Sequence, residues 1–333
     1  MRGKWSFERA QKQSLKKLKN GMDLASEIAR LEEEIADDPT PQTLACVADE
    51  TIWRARANEA CILATGRDKT QCLVRIHLAW RYSAFRWIAY LHRAEQLAIE
   101  FPRKARNRAL PIGDIDFNDT SGMGMVMAQA AVLGEDAAHD WFGQRCLRMR
   151  RSEEPFVERD AWTVGPTASF LLWLYVRSLE KEPEGILFDM DFGPFQGIVD
   201  SWDDDRKLDD AVISLCDFHL KKVRSILSPD NDLVFGLAVG LGYFMPTEVL
   251  YLQRVREKRG LYVPKPAHEF LDQPMAQLPF PCPRSGCDPF LSRVYELCRE
   301  AMPTFSIPWE QDDSGNTDWL EEVDLSTFRF LRK

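Results

Sequence analysis

"TQCLVRIHLAWRYSAFRWIAYLHRAEQLA" (residues 70–98) decides the fold class. Leu73, Ile76, His77, Trp80, Ala84, Trp87, Ile88, Leu91 and Leu97 follow a three-to-four spacing, the period of an α-helix. Arg75, Tyr82, Arg86 and Arg93 fall on the other side. The pattern predicts one long amphipathic helix with a basic outer stripe.

The same period continues along the chain. Leu208, Val212, Leu215, Cys216, Leu220, Val223 and Leu227 predict a helix over 208–227. "PTEVLYLQRVREKRGL" (246–261) puts Pro246 and Glu248 early and Arg254, Arg256, Lys258 and Arg259 late, and Gly260 stops it. Acid first, base last and Gly beyond is the order the helix dipole favours. A further helix is expected at about 288–302. "ILATGRDKTQCL" (62–73) and "AAVLGEDAAHDW" (130–141) read as helical hairpins, with Gly closing one helix and the Asp two residues later capping the next. Strand patterns are few; "GLAVGLGYF" (236–244) fits a strand or a tightly packed helix. Residues 263–289 hold seven prolines, so helix is excluded there, yet Phe270, Leu271, Met275, Leu278 and Phe280 predict that the segment lies extended on the body. The expected fold is mainly α: an irregular stack of antiparallel αα-hairpins with a Pro-rich extended segment near the C-terminus. It forms one helical body over 1–333, or two lobes, 1–100 and 117–333, joined by 101–116.

Composition narrows function. With 45% hydrophobic and 29% charged residues the chain is globular, and a net charge of −9 argues against a nucleic-acid binder. No apolar run is long enough to span a bilayer, and the basic N-terminus lacks the apolar segment of a secretory signal. The eight scattered cysteines read as reduced core thiols. A cytoplasmic protein without membrane contact is expected.

The charge is segregated. Residues 180–217 carry twelve acids against three bases. Six aspartates crowd into "VDSWDDDRKLDD" (199–210), and "WEQDDSGNTDWLEEVD" (309–324) adds seven acids and no base. Three readings compete for the first cluster. As a metal site, Asp204, Asp205 and Asp209 could face one divalent ion, loosely resembling the aspartate-rich motif of helical isoprenoid synthases. The spacing is one residue too long, and "NDTSGMGMV" lacks the Ser and Glu of a second motif. As a helix start, Asp203, Asp204 and Asp205 precede the apolar pattern, but one cap and one dipole partner would suffice. As a surface for a basic partner, the surplus of acid has a use in steering. Asp200, Trp202, Asp203, Asp204, Asp205, Asp209, Asp210, Glu310, Asp312 and Asp313 are the candidate partner-binding residues. Trp202 is the candidate aromatic anchor or, equally, a buried helix residue, with Trp309 and Trp319 beside the second cluster.

Other motifs carry less. Cys282 and Cys287, with Cys298 and His268, lack the paired spacing of a zinc site. His139–Asp140 has no nucleophile motif to serve. "SGMGM" (121–125) lacks the Lys-Ser/Thr ending of a phosphate loop; Gly124, Ala128 and Ala131 read as a close helix contact. No catalytic residue, metal or cofactor is therefore assigned, and binding rather than catalysis is expected.

The hairpin "AAVLGEDAAHDWFGQRC", the late helix "FMPTEVLYLQRVREKRGL" followed by "VPKPAHEFLDQPMAQLP", and the acidic surplus resemble the all-α immunity proteins of bacterial polymorphic-toxin and type VI secretion pairs. The resemblance implies a protein that binds and neutralises one cognate toxin. A nuclease toxin would present a basic substrate face for which an acidic surface can compete. The alternatives are a helical scaffold holding a peptide or protein, and a metal-dependent helical enzyme using Asp204, Asp205 and Asp209.

Overall fold

The computed structural model describes residues 24–46, 50–64, 69–102, 120–151, 153, 165–179, 190–226, 245–281 and 289–309. Among these the regular structure is helical, with no strand. The fold is mainly α, as the periodicity implies. The possible strand at 236–244 lies outside the described residues.

Two compact units divide the chain. One comprises residues 1–86 and 282–333, the other 87–281. The boundaries fall inside a helix, between Arg86 and Trp87, and after Pro281. The expected joint at 101–116 is therefore displaced, and the last 52 residues belong with the N-terminal unit rather than with 117–281.

The first unit holds α1 (Leu24–Asp37), α2 (Pro41–Cys46), α3 (Glu50–Leu63), the start of α4 (Lys69–Glu100), and α11 (Pro289–Ala301). Every residue from Cys72 to Tyr82 is buried, so this half of α4 is covered on all sides. The basic outer stripe is overturned there. Arg75 Nε lies 3.3 Å from Glu59 Oε2, and the Arg81 guanidinium sits over the Trp309 ring at 5.9 Å. Arg86 and Arg93 do stay half-exposed. A charge can go inside when it finds a partner there, and periodicity does not register the partner. Trp80 packs on Trp309 (4.9 Å between centroids), and Phe85 packs on Tyr295.

The second unit holds the rest of α4, then α5 (Thr120–Leu133), α6 (Asp136–Arg150), α7 (Pro166–Ser178), a 3-10 turn (Gly193–Phe195), α8 (Gln196–Asp200), α9 (Asp205–Ile226) and α10 (Thr247–Lys258). Helix α5 is its centre: Met123 to Leu133 are buried without interruption, and α6, α7 and α10 pack around it. At Gly124 α5 comes close to the α7 backbone, a Cβ there lying 3.9 Å from Ala168 Cα, and a tighter glycine contact, to a side chain, lies in α6. A Cβ on Gly143 of α6 would lie 2.1 Å from the Tyr175 ring, whereas one on Gly124 would find nothing nearer than 3.6 Å.

The α5–α6 joint turns on Gly134, at φ +89°. Glu135 N donates to Ala130 O and Gly134 N to Ala131 O, the two bonds of a Schellman cap. Asp136, expected as the next cap, is instead the first residue of α6 and accepts from Lys258 Nζ; Glu135 holds the cap position, and its side chain does not cap the helix. Gly260, at φ +65°, closes α10 with the same pair of bonds, Leu261 N to Arg256 O and Gly260 N to Glu257 O. Residues 261–281 then run without helix. Phe270, Leu271, Met275 and Leu278 are buried, and Phe280 is half-buried. Cys61, Cys72, Cys146, Cys216 and Cys298 are buried free thiols.

Candidate partner-binding surface

Asp204 is the N-cap of α9. Its Oδ1 accepts from Lys207 N at 3.3 Å, and its carbonyl accepts from Lys207 and Leu208 N. Lys207 Nζ returns to its Oδ2 at 3.0 Å. The Lys207 contact, then the backbone bond, lowers the carboxyl's pKa. One aspartate thus does what the helix start requires, and the others are free for different tasks.

Asp205 points to the end of α10. Its Oδ1 accepts from Arg256 Nη2 at 2.9 Å. Arg256 is only 1% exposed. Its Nη1 donates to Trp202 O at 2.6 Å and its Nε to Tyr262 O, and the guanidinium lies 4.8 Å from the Trp202 ring centre. A planar donor fork serves three acceptors and a π-face at once, which a lysine could not do. Burial lowers the pKa of Arg256, and Asp205 and then Asp203 oppose that.

Two more aspartates of α9 tie the segment that follows α10. Tyr262 Oη donates to Asp209 Oδ2 at 2.7 Å, which raises the pKa of the phenol. His268 Nδ1 accepts from Phe270 N, so its Nε2 carries the proton donated to Asp217 Oδ1 at 3.2 Å. The pairs 205–256, 209–262 and 217–268 have sequence separations of 51, 53 and 51. Residues 256–268 therefore run alongside α9 in the same direction, as a strap pinned by aspartates. Gln253 Nε2 also donates to Pro264 O.

The remaining acids face outward. The Asp203 and Asp210 carboxylates are exposed and have no hydrogen-bonded or ion-pair partner among the described residues; the Asp210 carbonyl accepts from Ser214 Oγ. Asp200 is exposed and accepts from Gln196 Nε2. Arg206 and Lys207 interrupt the acidic surface, leaving six aspartates against two bases over 199–210.

Trp202 is not a surface anchor. It is 5% exposed, meets the Trp173 ring edge-on at 5.0 Å, and lies under Arg177 and Arg256. Trp309 is likewise core, at 1%. Trp319, Glu310, Asp312 and Asp313 lie outside the described residues. The exposed aromatic beside the cluster is Tyr262, at 42%, with Leu261 at 37%. The signal for it was "RGLYVP": large apolar residues directly after a helix-stopping glycine.

The metal reading loses its ligands to internal contacts. Asp204 is on Lys207, Asp205 on Arg256 and Asp209 on Tyr262. Among the described residues no group of three His, Cys, Asp or Glu is placed to hold a metal ion. Gly122 and Gly124 of "SGMGM" lie within α5, not in a loop. His139 and Asp140 diverge: His139 Nε2 meets Tyr251 Oη at 2.7 Å, while Asp140 Oδ1 accepts from Tyr175 Oη at 2.7 Å. Burial, then Lys258, pulls the His139 pKa down to about 4, so it is a neutral packing histidine near pH 7. Cys282 and Cys287 lie outside the described residues, His268 is on Asp217, and Cys298 is buried in α11.

No helix among the described residues is long and apolar enough to cross a membrane. Comparison with known proteins finds no matching family model, no matching curated protein and no matching solved structure.

Proposed function

We propose that this chain is an immunity-type binding protein that neutralises a basic secreted toxin, a nuclease being the best fit, through the acid-rich start of α9, in the cytoplasm of the cell that makes it. One observation carries the reading. The acid-rich segment is exposed, yet its backbone is fixed from inside by the Asp204 cap and by Arg256 on the Trp202 carbonyl. A negative surface that is already ordered steers a positive partner and loses little entropy on binding it. Stoichiometric blocking needs nothing more, and no catalyst or cofactor is invoked. The test is co-expression with the product of the neighbouring gene. Growth restored by this chain, and lost again with Asp203→Lys/Asp210→Lys, supports the reading; equal protection by that variant counts against it.

A second reading, a scaffold for a peptide, is supported by a groove of about 520 Å³ between α10 and the strap. Its lining mixes Leu250, Leu271 and Leu278 with Arg254, Lys265 and Asp272. A chain that gives no protection in co-expression but retains a peptide in this groove favours that reading.

A further inference from the structure

We infer that Leu261 and Tyr262 are the apolar anchor of the acidic surface, and that the partner they fit is a protein segment carrying arginine next to a large apolar residue. The inference rests on the binding reading above and gives it a partner chemistry. Leu261 and Tyr262 stand among the few large apolar residues left exposed in the described chain. They are adjacent in sequence, and Tyr262 touches the acid-rich segment through Asp209. Their place is fixed. Gly260 turns the chain out of α10 by the Schellman bonds, Arg256 Nε holds the Tyr262 carbonyl, and Asp209 holds the Tyr262 hydroxyl. Tyrosine is enriched among interface hot spots, and one already held in place loses little entropy on binding.

Charge and hydrogen bonding specify the occupant. The Tyr262 hydroxyl lies 2.7 Å from Asp209 Oδ2, and Asp205 stands one turn before Asp209 on α9. The same acid-rich segment leaves the exposed Asp203 and Asp210 carboxylates without an ion-pair partner among the described residues, so it still attracts a cation. A guanidinium stacks on a tyrosine ring and offers several donors in one plane, whereas an ammonium offers a point charge. An apolar neighbour on the partner would cover Leu261. Trp202 cannot play this part, because its ring is already sandwiched inside the fold.

The experiment uses the full chain and two 12-residue peptides of equal charge, one alternating Arg and Leu, the other Arg and Gly, followed by fluorescence anisotropy. The wild type is expected to bind the Arg-Leu peptide about 10-fold more tightly than the Arg-Gly peptide. Leu261→Ser and Tyr262→Ala should each remove most of that difference, and Tyr262→Phe, which keeps the ring, should retain it. Asp203→Lys/Asp210→Lys should weaken both peptides alike. Loss of discrimination in Leu261→Ser alone still supports the inference if Tyr262→Ala fails to fold. Wild-type discrimination in both anchor variants, or none in the wild type, overturns it. The acidic reading itself falls separately, if the charge reversal leaves both affinities unchanged.

Discussion

Arg256 Nη2 and Asp205 Oδ1 meet at 2.9 Å, joining the last turn of α10 to the first turn of α9, and the two partners are unequal. The arginine side chain is 2% exposed and the aspartate 59%. Arg256→Ala removes the donors to the Trp202 and Tyr262 carbonyls and the packing on Trp202. We expect it to cost about 2–4 kcal/mol. Asp205→Ala leaves the buried guanidinium its two carbonyl acceptors but takes away its carboxylate, so a smaller loss, about 1–2 kcal/mol, is expected. Urea midpoints of the two variants check this asymmetry; equal losses would mean that the ion pair, not the carbonyl clamp, matters.

Gly143 and Gly124 separate close approach from mere smallness. Gly143→Ala drives a methyl into the Tyr175 ring, so a loss of at least about 1–3 kcal/mol is expected in thermal or urea unfolding. Gly124→Ala meets Leu171 only at ordinary contact distance and gains up to about 1 kcal/mol of helix propensity. Its stability should hold or rise.

Gly260→Ala meets nothing within 4 Å, so its cost is the left-handed backbone alone, about 1–2 kcal/mol. Because Gly260 aims the strap, the variant should also lose Arg-Leu peptide discrimination while remaining folded, as circular dichroism would report.

His139 makes stability fall in mild acid. Its pKa is about 4 in the folded protein against an ordinary 6.5. Between these values the unfolded chain binds the extra proton, so stability is full above about pH 6.5 and declines as pH drops toward 4. The loss amounts to about 3 kcal/mol over that window. Urea midpoints from pH 7.5 to 4.5 should show this slope, and His139→Gln should flatten it.

The helices were legible because their period is local. The spacing over 70–98 corresponds to Lys69–Glu100, that over 208–227 to Asp205–Ile226, and that over 288–302 to Pro289–Ala301. The stops at Gly134 and Gly260 were legible for the same reason. What was hidden is the pairing of residues far apart in the chain. Arg75 read as outward because its partner Glu59 is on another helix and remote in sequence. Trp202 read equally as a surface anchor or a buried helix residue, because neither Trp173 nor Arg256, which cover it, is a neighbour in sequence. Four of the acids have an internal use that only the fold reveals: Asp204 caps, and Asp205, Asp209 and Asp217 pin the strap.

The central claim is that the acids left over, above all Asp203 and Asp210, serve a basic partner. Its most direct test is the association rate with the purified toxin at about 50 and 500 mM salt. Reversing both charges should slow association at least about 10-fold at low salt and much less at high salt, with folding intact. An association rate that ignores both the reversal and the salt would contradict the account.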